Sequence, residues 1–328
     1  MKHSGSGWTF EPLYQFSYLI EGVPKARVVF GPQGALYGTT QGGPFDGGAV
    51  FRMMPPATPP HTALTSWRET SLYNFHDDAL PAYGDVIFDA AGNLYGTTES
   101  GGQDHDGKVF ELSPPGNWSS ENVLYAFAGA DGAFPLNRVV FDHAGNLYGT
   151  TYQGGATGYG TVFELSRIGL TWTQTRLYSF QNGTDGANPI AGVVLDSSGN
   201  LYGATTGAGS GGGGTVFQLT PSGSGWIFNL LYSFSAPATC GPWGTPVLDN
   251  SGNLYDTTYC SGANHLGNVF KLAPNGGGGW TYTSLHDFTG GEGDYSTSTV
   301  SLDTSGNLYG TTVYGGSHGN GVVWQIQP

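Results

Sequence analysis

An all-β fold, a six-bladed β-propeller of four-stranded blades, is what this sequence predicts, and three observations predict it. The first is a tandem repeat. Close copies of Asp142-His143-Ala144-Gly145-Asn146-Leu147-Tyr148-Gly149-Thr150-Thr151 run along the chain, and their leucine recurs as Leu36, Leu94, Leu147, Leu201, Leu254 and Leu308. The steps of 53 to 58 residues fall in the range of repeat architectures. The second is that each copy holds four short apolar or aromatic segments between Gly, Pro and Asp clusters, with no helical period between them. The third is that the chain begins with a lone copy of the fourth segment and ends just after the third, so the two ends together supply one blade. Residues 1–328 are therefore expected to form a single domain with a period of about 54 residues. Its last blade would join residues 299–326 to a strand at residues 8–16. An open β-solenoid is the competing architecture, but it needs caps over its terminal edges, and neither end carries sequence for one.

The segments follow in order. Trp8-Thr9-Phe10 with Leu13-Tyr14-Gln15-Phe16 alternates aromatic or apolar with polar residues, as a strand does. Its counterparts open at Trp67, Trp118, Trp172, Trp226 and Trp280 and close at Phe75, Phe127, Phe180, Phe234 and Phe288; this is strand D. A loop rich in Gly, Asp and Pro comes next. Strand A follows as Val28-Val29-Phe30, Val86-Ile87-Phe88, Val139-Val140-Phe141, Val193-Val194-Leu195, Pro246-Val247-Leu248 and Val300-Ser301-Leu302, runs that suit an innermost strand buried on both faces.

Asp-x-x-Gly-Asn then repeats from Asp89, Asp142, Asp196, Asp249 and Asp303. An Asp that opens a type I turn can accept backbone N–H groups two residues on, and the Gly supplies the left-handed residue of the hairpin, so these aspartates are read as turn caps rather than calcium ligands. The first copy, Gly31-Pro32-Gln33-Gly34-Ala35, lacks the Asp and Asn but keeps the glycine. Strand B is Leu-Tyr-Gly-Thr-Thr, and its internal glycine predicts close approach of a bulky neighbour. Asp256 breaks that pattern. After a Gly-rich loop, strand C runs through Val50-Phe51, Val109-Phe110, Val162-Phe163, Val216-Phe217, Val269-Phe270 and Val323-Trp324.

Repeated Gly-Asn-Leu-Tyr-Gly-Thr-Thr, then Gly-Gly, then Gly-x-Val-Phe-Glu-Leu, as at Gly145 to Leu165, resembles the bacterial GloVer tandem-repeat family, also called choice-of-anchor tandem repeat proteins. The resemblance covers essentially the whole chain and implies an exported or surface-associated bacterial protein. It carries over no catalytic residue. Family members often have a C-terminal anchoring segment, which the sequence up to Pro328 does not show, and Met1 to Phe10 has no apolar core of an export signal.

Charge narrows the partners. A formal net charge of −14 leaves no basic stripe to neutralise phosphates, so nucleic acid and anionic membrane surfaces are poor partners. No apolar run is long enough for membrane insertion by a helix. The chain is expected to act as a monomer on a small-molecule, glycan or peptide ligand.

In a propeller the D-to-A and B-to-C loops emerge on one face at the mouth of the channel, where binding and catalysis usually sit. That face is expected to collect Asp46, Asp77, Asp78, Asp104, Asp106, Asp131, Asp185, Glu292 and Asp294, with Asp77, Asp78, Asp131 and Asp185 as candidate ligands for calcium, the one cofactor in view. His105, His265 and His318 are read as exposed loop residues, and Gly315-Gly316-Ser317-His318-Gly319 as a chance match to a nucleophile motif, since no helix follows it. Arg27, Asp85 and Arg138 start consecutive strands A and are read as salt-bridging. Tyr152, Tyr159, Trp243, Tyr295 and Tyr314 are candidate stacking groups for a ligand. Cys240 and Cys260, the only two cysteines, nearly face each other across the hairpin through Asp249 and Asn253, which predicts a disulfide.

Two function classes follow. One is an exported binding module whose loop face takes a glycan, a peptide or another surface component. The alternative is a metal-assisted hydrolase or lyase at the channel mouth, by analogy of fold alone.

Overall fold

In the computed structural model the chain is described at every residue except 1, 5–6, 10–11, 18–21, 44–46, 57–66, 77–79, 82–83, 115–116, 224 and 328. Two compact units make it up, Met1–Ala126 and Phe127–Pro328. The fold is all-β, with six blades of the β-propeller kind. Among the described residues the only helical turn is Pro32–Gly34, and no helix is long and apolar enough to cross a membrane.

In the first unit, the first sheet orders Val29–Phe30, Leu36–Gln41, Ala49–Met54 and Arg68–Asn74, with Val23–Pro24 also paired to Leu36–Gln41. The second orders Ile87–Phe88, Leu94–Thr98, Lys108–Leu112 and Glu121–Ala126. Lys2–Ser4 and Gly7–Thr9 form a separate hairpin. In the second unit, the third sheet orders Val140–Phe141, Leu147–Thr151, Thr161–Ile168 and Thr171–Ser179, and the fourth Val194–Leu195, Leu201–Thr205, Gly212–Ser222 and Gly225–Ser235. The fifth orders Val247–Leu248, Leu254–Thr258, Asn268–Pro274 and Trp280–Asp287. The sixth has three strands among the described residues, Ser301–Leu302, Leu308–Thr311 and Val323–Ile326. Sheets two to five are antiparallel meanders in the expected order A, B, C, D; the first adds Val23–Pro24 to that order, and the sixth shows A, B and C among the described residues.

Strand A is shorter than its apolar run, because only its last two residues pair with strand B, as Val140 with Tyr148 and Phe141 with Leu147. The residue before them turns inward, and Val86, Val139, Val193 and Val300 are fully buried. Strand B, buried at all five positions in sheets two to five, is the most deeply buried strand. Its glycine answers to strand C. A Cβ on Gly149 would lie 2.7 Å from Cζ of Phe163, and one on Gly203 would lie 2.6 Å from Cζ of Phe217, far inside contact distance.

Within each unit, consecutive sheets interlock through one aromatic pair. The phenylalanine closing strand D meets the strand C aromatic of the next sheet, as Phe75–Phe110, Phe180–Phe217 and Phe234–Phe270, each at 5.2 Å, and Phe288–Trp324 at 6.1 Å. Phe16, from the expected closing strand, fills the same place on Phe51 at 4.9 Å, within a cluster of Tyr14, Leu36, Met53 and Trp67. Phe10, from the same stretch, lies outside the described residues.

The hairpin aspartates are turn caps. Oδ1 of Asp142 accepts the N–H groups of Ala144 (2.8 Å) and Asn146 (2.9 Å), while Oδ2 accepts Asn146 Nδ2 (2.9 Å) and the Tyr148 hydroxyl (3.2 Å). Asp89, Asp196, Asp249 and Asp303 repeat this set. Burial alone would raise the Asp142 carboxyl, but these hydrogen bonds outweigh it and hold the group below the ordinary carboxylate range.

Asp256, where strand B otherwise has glycine, is completely buried. Its Oδ1 accepts the Thr257 N–H at 2.8 Å, and its Oδ2 has no hydrogen-bond partner. Burial pushes this carboxyl well above its ordinary value, with the Thr257 bond only partly offsetting it. The folded state therefore holds a proton that the unfolded chain releases near pH 4, so stability should fall as pH rises above about 4 until the folded-state value is passed. Asp256→Asn carries no titrating group, so its melting temperature relative to the wild type should climb between pH 4 and pH 8. A gap that stays constant over this range would show that Asp256 does not titrate on unfolding.

Candidate ligand-binding site

Three of the five aromatic residues singled out by sequence come together in the second unit, and a fourth ring completes them. Trp243 stacks on Tyr259 at 4.9 Å with 27° between planes. Tyr259 meets Tyr295 at 5.0 Å and 46°, and Tyr295 meets Tyr314 at 6.1 Å and 83°. The run crosses from the loops of the fifth sheet to those of the sixth. Tyr152 and Tyr159 sit on loops of the third sheet, and no ring contact joins them to this run among the described residues.

Backbone bonds between loops set the four rings. The Tyr259 N–H donates to Gly241 O (3.0 Å), Val313 N–H to Tyr295 O (3.1 Å), and Tyr295 N–H crosses from the sixth sheet's loop to Leu266 O (2.8 Å). Trp243 is oriented by its indole N–H, which donates to Thr239 O at 3.0 Å. Tyr295 adopts a left-handed backbone, φ 53°, as do Phe134 (58°) and Asn188 (56°) at the same place in their own repeats. Among residues with a side chain asparagine tolerates that region best, and for a bulky aromatic it is an uncommon conformation.

The Cys240–Cys260 disulfide is formed, with 4.4 Å between Cα atoms. The two cysteines stand fourteen residues before and six after Leu254. At these offsets the neighbouring repeats hold the backbone-bridged pairs Ala133–Gln153, Ala187–Gly207 and Asp294–Tyr314. The crosslink thus fastens the two loops that carry Trp243 and Tyr259, the latter being the residue just before Cys260.

Tyr259 escaped the sequence reading, although a signal existed, since it stands five residues after its repeat leucine just as Tyr152 does. Its phenol is raised by burial first and then by the nearby Tyr314, Tyr295 and Asp294 groups. Asp294 bridges Tyr314 through both backbone groups, Asp294 N–H to Tyr314 O at 3.0 Å and Tyr314 N–H to Asp294 O at 3.3 Å. Its Oδ1 is buried and has no hydrogen-bond partner.

The carboxylates named as calcium ligands are placed differently. Asp185 is buried and closes its own turn, accepting from Gln181 N–H (2.7 Å), Gly183 N–H (3.1 Å) and the Tyr178 hydroxyl (3.0 Å). Asp131 accepts the Ala128 N–H at 2.9 Å. Glu292, at the same place in the sixth blade's loop, accepts the Thr289 hydroxyl and pairs with His286 at 3.2 Å. Asp46, Asp77 and Asp78 lie outside the described residues. Among the described residues no group of three or more His, Cys, Asp or Glu side chains is placed to hold a metal ion.

The residues that start strand A link sheet to sheet. In the first unit, Asp85 takes three bonds from Arg27, through N (3.1 Å), Nε (3.0 Å) and Nη2 (2.7 Å), which is the expected salt bridge. In the second unit, Gly192 N–H donates to Thr245 Oγ1 (3.1 Å), and Thr245 N–H to Thr299 Oγ1 (3.0 Å).

Comparison with known proteins gives the following. The family model described as "Gloeobacter/Verrucomicrobia repeat" matches residues 60–181 and 170–328. No curated protein matches the sequence. Among solved structures, a protein provisionally designated a gluconolactonase shares 14% identity, with 94% of this chain and 89% of that one covered and a TM-score of 0.52. An ancestral GH74 enzyme shares 13% identity at a TM-score of 0.56, with 89% of this chain covering 40% of that one. At such identities the likeness is one of fold.

Proposed function

The chain belongs to the Gloeobacter/Verrucomicrobia repeat family, and from that premise we propose that it is a non-catalytic binding module, exported or held at the cell surface, that takes a glycan, a peptide or another surface component on its loop aromatics. The observation that carries this is the run Trp243–Tyr259–Tyr295–Tyr314, four rings from four loops in contact on two neighbouring blades. Aromatic side chains in such numbers are usually sunk between sheets, yet Tyr314 keeps 53% of its surface in water. Exposed rings held by a rigid scaffold supply contact area at little entropic cost. The disulfide supports an oxidising compartment. The enzyme descriptions of the two fold neighbours stay with those proteins, because fold does not carry function.

The test is calorimetric titration of the intact chain with soluble oligosaccharides and with surface-derived peptides. Where a ligand is found, Tyr314→Ala should weaken it by about tenfold or more, in line with loss of a stacking ring. Tyr159→Ala, exposed but off the run, should leave it unchanged. Equal losses in both variants would refute the assignment of the site.

A further inference from the structure

The chemistry around the ring run distinguishes among ligand classes. A flat pyranose face wants rings that lie nearly coplanar and open on one side. Here the planes turn along the run, from 27° through 46° to 83°, so Trp243 and Tyr259 cover each other's faces while Tyr295 and Tyr314 meet nearly at right angles. Rings meeting at a steep angle can face one small group from two sides, and an aromatic face attracts positive charge through its quadrupole.

A negative charge stands beside this corner. Asp294 precedes Tyr295 in the chain and is bridged to Tyr314 by two backbone hydrogen bonds. Its Oδ1 is shielded from water without a partner, and among the described residues no lysine or arginine pairs with it. A buried carboxylate oxygen left unpaired is costly, and a cation arriving at the site would relieve that cost. The phenols of Tyr259, Tyr295 and Tyr314 add acceptor oxygens and no positive charge. The whole chain has 24 acidic against 10 basic residues, which favours approach of a cation.

We propose that the corner of Tyr259, Tyr295 and Tyr314, with the Asp294 carboxylate beside it, binds an organic ammonium group, as carried by a choline-like or methylated amine. This rests on the binding-module reading and names its ligand class. The rings supply cation–π attraction from two sides, and Asp294 supplies the counter-charge. An inorganic cation is a poor fit, since small metal ions demand several oxygen ligands and aromatic walls cannot replace them.

The experiment titrates the full chain at low salt with choline and with 3,3-dimethyl-1-butanol, its uncharged carbon analogue. Choline should bind in the millimolar range or tighter, and the neutral analogue about tenfold more weakly or not at all. Asp294→Asn and Tyr314→Ala should each weaken choline by about tenfold, and added salt should weaken it further. Tyr295→Asn keeps the left-handed backbone comfortable, as Asn188 does, so it should lose choline while melting no lower than the wild type. Choline and its neutral analogue binding alike, choline unaffected by Asp294→Asn, or no binding of choline at all would each overturn the ammonium proposal. The broader reading falls with it only if the oligosaccharide and peptide panel also shows no ligand that depends on Tyr314.

Discussion

Replacing Lys108 with methionine should destabilise the protein by about 3–5 kcal/mol, the usual cost of stranding one partner of a buried ion pair. Lys108 Nζ lies 2.8 Å from Glu121 Oε2, and both side chains are only 10% exposed. The Tyr73 hydroxyl donates to the same carboxylate at 3.3 Å, and the ammonium sits 5.7 Å from the centre of the Phe75 ring. Burial first, and then the Glu121 charge, push the Tyr73 phenol up to about 12. Without Lys108, the Glu121 charge stays in an apolar pocket with one phenol for company. The corresponding slot in other repeats is uncharged: Thr161 and Thr215 there bond Thr151 and Thr205 at 2.8 and 2.9 Å. Removing both charges, as Lys108→Met with Glu121→Leu, should therefore recover most of the loss. Urea unfolding of the wild type, the single variant and the double variant measures this directly. A single variant within about 1 kcal/mol of the wild type would mean that the pair is wetter than its burial indicates.

Loss of the disulfide should be nearly as costly. The Cys240→Ser, Cys260→Ser double variant is expected to lose about 3 kcal/mol, from the loop entropy that a crosslink of this span removes from the unfolded chain. Reduction of the wild type should reproduce the loss. The effect should also reach the ring run, since the crosslink ties the loop of Trp243 to that of Tyr259. Tryptophan fluorescence would then shift on reduction under conditions where the fold persists. A variant that melts with the wild type would show that the backbone bonds from Cys260 and Ser261 to Cys240 O hold the loops by themselves.

Much of this was written in repeat spacing. The recurring glycine of strand B was legible as a place of close approach, and the structure names the neighbour as the strand C phenylalanine, Phe163 against Gly149. Asp142 and its copies were legible as turn caps, since their partners lie within six residues. Cys240 and Cys260 were legible as a pair because a hairpin sets which residues face one another. Strand A was read too long: an apolar run records burial, whereas a ladder also needs backbone pairing, and Val139 buries its side chain without pairing.

The candidate site was half visible. Sequence picked out aromatic residues on loops, but nothing in the spacing says that Trp243, Tyr259, Tyr295 and Tyr314 touch while Tyr152 and Tyr159 stand apart. Nor does it say that Asp185 spends its oxygens on its own turn while Asp294 keeps one unpaired. By itself, then, the sequence determined the all-β repeat, the strand order, the turn chemistry and the disulfide, which rest on contacts local in the chain or locked to the period. Only the tertiary structure decided which rings and charges meet. Those contacts join loops from different blades, and they hang on individual backbone conformations, such as the left-handed Tyr295, that no periodicity encodes.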